Sequence, residues 1–151
     1  MPRQKPKEGD IFEISLENGE VAIGQVLSIE PQALNSIGCA FWEPSNSPNP
    51  EQIDHPPISA LLVTPELLKR GIWKIISNRP PTLPTSLRPY EQFRASHWVG
   101  ATITGSGIIA KFMQSCAGLR PWNKQADPNY LDELLLPGVA RPQRAVIELE
   151  P

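Results

Sequence analysis

Cysteine is scarce in this 151-residue chain. Cys39 and Cys116 stand far apart, with no second thiol or imidazole beside either. A disulfide framework needs more cysteines, and a zinc site needs clustered ligands. The expectation is two buried, reduced thiols in a cytoplasmic protein. Long apolar runs are also missing. No stretch approaches the ~20 residues that span a bilayer, so no membrane partner is expected. The N-terminus, MPRQKPKEGD, is basic but has no apolar stretch behind it, and it does not read as a secretory signal. Residues 1–8 are expected to form a flexible basic extension, and 9–151 a single domain. Histidine occurs only as His55 and His97, and neither lies in a metal-binding or nucleophile-activating pattern. No catalytic residue, metal or cofactor is therefore assigned, and the chain is not read as an enzyme.

Positive charge is absent from one long stretch. The net charge of −2 conceals this. Between Gly9 and Ala60 stand Asp10, Glu13, Glu17, Glu20, Glu30, Glu43, Glu51 and Asp54, with no lysine or arginine. Between Leu61 and Gly118 the balance reverses, with seven basic residues and two acidic ones. A nucleic-acid partner would need a basic footprint, which the net balance does not supply. An acidic block suits a basic protein partner and raises its rate of association.

Proline, by contrast, is abundant. The chain has 18, against 10 glycines. Residues 43–58 and 78–90 hold many of them, so long loops are expected there. Around these loops the apolar pattern is regular. Residues 10–16 and 20–29 read as strands joined at Asn18-Gly19. A two-residue turn would set Glu17 against Glu20, Leu16 against Val21 and Ile14 against Ile23. Phe12, Ile14, Leu16, Val21, Ile23, Leu27 and Ile29 would then share one face, with Gln25 as a polar exception beside Gly24. Further strands are expected at 36–42, 59–63, 72–77, 98–104 and 144–149.

Helices are expected at 65–70, 107–117 and 128–136. Thr64-Pro65 and Gly71 bracket the first. Ile108, Ile109, Phe112, Met113 and Cys116 make the apolar stripe of the second. Asp127-Pro128 and Pro137-Gly138 bracket the third. The fold expected is α+β: a bent, largely antiparallel sheet or small partly open barrel of about six strands, with two or three short helices on one side.

Gly105, Gly107 and Ala110 formally fit a dinucleotide fingerprint. No second parallel strand ending in an acidic residue follows, so the glycines are read as a close strand-to-helix junction. Among the four tryptophans, Trp42 borders the acidic, proline-rich loop. It is either an exposed anchor for a partner or a core residue.

Two segments carry a family resemblance. The first is KEGDIFEISLENGEVAIGQVL, with Gly9, Asp10, Phe12, Asn18, Gly19, Gly24, Val26 and Leu27. The second is LLKRGIWKIISNRPP, with Gly71, Trp73, Ile75, Ile76, Asn78 and Pro80, followed by Phe93. Together they resemble the immunity protein 26 family of bacterial polymorphic toxin systems. That resemblance implies a protein that binds a cognate toxin domain and blocks it, with no catalytic residue to carry over. Gly9, Asp10, Phe12, Gly24, Gly71, Trp73, Asn78 and Phe93 are then structural positions. The charge pattern nominates Glu13, Glu17, Glu20, Glu43, Glu51 and Asp54, with Trp42 as anchor, as the surface for a basic toxin such as a nuclease. The alternative is a small β-barrel module that binds peptides or proteins unrelated to toxins.

Overall fold

The first hairpin turns over three residues rather than two, and this shifts every facing pair behind it. In the computed structural model, which describes residues 2–149, β1 (Asp10–Ser15) runs antiparallel to β2 (Val21–Glu30). The Leu16 N–H donates to the Glu20 carbonyl at 2.9 Å, and the Gly19 N–H to the Leu16 carbonyl at 3.1 Å. Glu17, Asn18 and Gly19 thus form the loop, with Gly19 left-handed at φ 88°. A three-residue loop that ends on a left-handed glycine is a favoured hairpin connection. Phe12 consequently faces Gly24, and Ile14 faces Ala22, one residue away from the expected register.

A one-residue slip moves side chains to the other face. Phe12, Ile14, Leu16, Ala22 and Val26 line one core, whereas Ile23 and Leu27 join Ile11 in a second core behind the sheet. Apolar residues come in adjacent pairs (Ile11-Phe12, Ala22-Ile23, Val26-Leu27), so both faces can be buried. The polar exception, Gln25, lies in the second face, where its Nε2 donates to the Arg79 carbonyl at 2.8 Å. Gly24 is needed because the Phe12 ring lies where a Cβ would stand.

Four more strands complete an open sheet. They are β3 (Ser36–Phe41), β4 (Ser59–Val63), β5 (Lys74–Asn78) and β6 (Ile103–Thr104), in the order β5-β1-β2-β3-β4-β6. All neighbours are antiparallel except β4 and β6. The ends β5 and β6 do not join, so the sheet does not close into a barrel. The strand expected at 98–104 shortens to two residues because Trp98 and Gly100 are left-handed. Residues 144–149 form no strand of the sheet. Val146 instead pairs with Pro121, and its carbonyl accepts from the Trp122 N–H at 2.7 Å.

The helices α1 (Glu66–Lys69), α2 (Ser106–Cys116) and α3 (Tyr130–Leu134) cover one face. Their core includes Phe12 stacked on Trp73 (centroids 5.3 Å apart, planes 5° apart), and Phe112 against Trp122. Two proline-led 3₁₀ helices, Pro50–Asp54 and Pro89–Ser96, cover the other with Ile53, Tyr90 and Trp98. Their prolines suggest loops in the sequence, yet proline fits the first turn of a helix. Cys39 and Cys116 are free and buried, and burial raises both thiol pKa values far above the usual range. The segment before β1 is tied to the sheet edge. The Gln4 amide donates to the Leu68 and Trp73 carbonyls at 2.7 and 2.8 Å and accepts from the Ile75 N–H at 3.0 Å. Among the described residues no helix is long and apolar enough to cross a membrane.

Candidate protein-binding end of the sheet

Antiparallel order brings two connections to one end of the sheet: the β1–β2 turn and the 42–58 segment between β3 and β4. Val21 and Ser45 exchange both backbone hydrogen bonds, at 3.1 and 3.0 Å, and so lock the second connection beside the first. Within it, the Asn49 side chain accepts from the Glu51 N–H at 2.9 Å, and Pro50 opens the 3₁₀ turn. Buried Ile53 pins that turn onto the second core. Gln52 Nε2 donates to the Glu43 carbonyl at 3.3 Å. A proline-rich loop is thus held in one shape by its caps and one apolar anchor.

The nominated acidic residues divide into three groups. Glu17, Glu43 and Glu51 are exposed at this end, and among the described residues none forms an ion pair. Glu13 lies further back on β1, half-buried, opposite Lys74 of β5. Glu20 and Asp54 are already paired. Asp54 meets Arg79 at 3.1 Å in an exposed bridge, which is worth little to stability.

Glu20 is only 4% exposed. Its carboxylate takes both arms of the Arg144 guanidinium, with Nη1 at 2.7 Å from Oε2, and accepts from Asn18 Nδ2 at 2.7 Å. Arg144 holds the carboxyl below the usual glutamate range, Asn18 adds to this, and desolvation opposes both. The expected repulsion between Glu17 and Glu20 does not arise, because Leu16 is the residue opposite Glu20. Glu20 therefore presents no free charge to a partner.

Trp42 is core. It is 3% exposed, packs in the second core, and its Nε1 donates to the His55 carbonyl at 2.9 Å. It fixes the loop from beneath and does not reach out of it. What remains on the surface is an acidic rim of Glu17, Glu43 and Glu51 at this end, and Glu51 also borders a shallow polar depression of about 300 Å³ with Ser45, Asn49 and His55. Such a rim can accept hydrogen bonds from lysine or arginine.

The sequence-motif residues lie elsewhere. Gly9 is left-handed at φ 91°, and a Cβ there would sit 2.6 Å from the Arg79 carbonyl. Asp10 is buried and accepts from the Lys7 N–H and from Asn78 Nδ2, both at 2.9 Å. Gly71 ends α1 at φ 79°. Phe93 packs half-buried at the margin of the second core. At the Gly105 junction, Thr64 Oγ1 accepts from the Ser106 N–H at 2.8 Å, so a protein hydroxyl fills the helix start.

Arg144 was not nominated from sequence. It lies 124 positions from Glu20, and no local pattern announces such a pair. Comparison with known proteins finds one family model, described as Immunity protein 26, that matches residues 7–97. No curated protein matches the chain, and no solved structure does.

Proposed function

The chain belongs to the immunity protein 26 family, and on that basis we propose that it protects a bacterial cell by binding a cognate toxin domain in the cytoplasm and blocking it stoichiometrically, without catalysis. Family membership carries this reading. The docking surface we assign is the rim made by Glu17, Glu43 and Glu51. Three unpaired carboxylates, Glu17 on the hairpin turn and Glu43 and Glu51 on the loop locked beside it, favour a basic toxin surface, such as that of a nuclease. Charge arranged this way speeds encounter and sets orientation, while a preshaped loop limits the entropy lost on binding.

Co-expression with the toxin domain tests the protection, scored by survival and by co-purification of a one-to-one complex. A toxin that kills equally with and without this chain overturns the reading. Stopped-flow association tests the surface. The double substitution Glu43→Lys, Glu51→Lys is expected to slow association about tenfold at low salt and to flatten its salt dependence. An unchanged rate would remove the acidic rim while leaving protection intact.

A further inference from the structure

The opposite end of the sheet has a different chemistry. It is formed by the 31–35 turn between β2 and β3 and by the 97–102 loop that leads into β6. Among the described residues, the left-handed positions not held by glycine are Leu34 (φ 56°), Asn35 (57°), His97 (56°) and Trp98 (69°). All four lie here, as two consecutive pairs. This conformation is unfavourable for residues with a Cβ, least so for asparagine. Beside these turns two apolar side chains stand in water: Leu34 is 84% exposed, and Val99, next to the second pair, is 75% exposed, whereas Trp98 itself is buried. Local strain of this kind concentrates at functional sites.

Between the two turns lies a cleft of about 250 Å³, walled by Leu34, Val99, Ile103 and Trp98. One wall is rigid. The Arg94 guanidinium stacks 4.7 Å from the Trp98 ring and is held in turn by Glu30 at 2.5 Å and Glu91 at 2.6 Å. The same 31–35 turn also borders Pro6 and Lys69 around a smaller depression of about 100 Å³. Lys69 continues to Arg3 and Lys5. Arg3, Lys5 and Lys69 are exposed, and among the described residues none lies within 4.0 Å of a carboxylate. Nearby in the chain, Glu8 and Glu66 offset part of this charge, and Lys7 and Arg70 add to it.

We propose that this end is a second docking surface, built for an acidic protein segment: an apolar side chain of the partner enters the cleft between Leu34 and Val99, and the carboxylates beside it meet Arg3, Lys5 and Lys69. The proposal is independent of the toxin reading and concerns the opposite end of the molecule. A second copy of this chain fits poorly. Its exposed aliphatics beside a carboxylate, Val146, Ile147 and Leu149 around Glu148, are tied down where Glu148 meets Lys124 at 3.2 Å and its backbone bonds to Asn123. Single-stranded nucleic acid fits poorly as well, because bases stack on open aromatic faces, whereas the cleft is mainly aliphatic and Trp98 is buried.

The test is a titration of the ¹⁵N-labelled chain with a capped octapeptide, a Leu-Phe pair flanked on each side by three glutamates. Three controls accompany it: the same peptide with lysines for glutamates, the same peptide with Ser-Ser at its centre, and a twelve-nucleotide oligothymidylate. Saturable amide shifts confined to residues 29–35 and 97–103 and to the surroundings of Lys69 are expected. The double variants Leu34→Ser, Val99→Ser and Arg3→Glu, Lys69→Glu should each weaken binding at least about tenfold. All four side chains are exposed, so the variants should keep the parent amide spectrum. No saturable shift at millimolar peptide overturns the proposal. So does equal binding of the Ser-Ser peptide or the oligonucleotide, or a concentration-dependent dimer abolished by the Leu34 change.

Discussion

Leu34 holds a backbone conformation that its own Cβ disfavours, while nearly all of its side chain lies in water. Removing it should cost no core packing and relieve strain, so Leu34→Asn is expected to raise stability by about 0.5–1 kcal/mol in chemical denaturation. Gly24 is the converse case. Any Cβ there meets the Phe12 ring within the stack on Trp73, and Gly24→Ala should cost about 1–3 kcal/mol by the same measurement. Glu20, like Asp132 beside Arg141, contributes to the acid response. Its folded pKa lies below that of the unfolded chain, so the unfolded state takes up the proton first as pH falls. The stabilisation is complete at neutral pH and is lost as pH drops from about 4.3, the ordinary glutamate value, through the lower folded one. Glu20→Gln should lower the melting temperature at pH 7 and flatten its decline across that acid window.

At the scale of elements, Gln4 acts as a latch on the β5 edge. It meets two carbonyls and one N–H that would otherwise face solvent or another strand. Gln4→Ala is expected to cost about 1–3 kcal/mol and to speed hydrogen exchange at the Ile75 amide. Much of the element order was legible in the sequence. Alternation and flanking turns marked β3 and β4, the Ile108-to-Cys116 stripe marked α2, and Thr64-Pro65 with Gly71 bracketed α1. The hairpin register was not legible, because Ile11-Phe12 and Ala22-Ile23 supply an apolar residue to either face and so support both registers. The 3₁₀ helices were hidden by their prolines, which suggest loops although proline fits the first turn of a helix. The run Arg144–Leu149 has strand composition but joins no strand of the sheet. It pairs instead with the segment around Trp122.

For the molecule as a whole, a sheet covered on both faces has two ends of different chemistry. One end carries free carboxylates, the other exposed aliphatics with lysine and arginine beside them. The acidic block behind the first end could be read by counting. Which of its members stay charged toward a partner could not, since Arg79 and Arg144 come from distant parts of the chain to pair with Asp54 and Glu20. The family match closes at residue 97, yet Arg144 answers Glu20 and also donates to the Ala117 carbonyl at 3.1 Å. A nascent chain that has emerged only as far as its family signature therefore carries a hairpin whose inner carboxylate has no counter-ion and a sheet without α2. The guanidinium that pairs with that carboxylate is made nearly fifty residues later, so a ribosome stalled in that interval holds a recognisable signature whose hairpin still lacks its counter-ion.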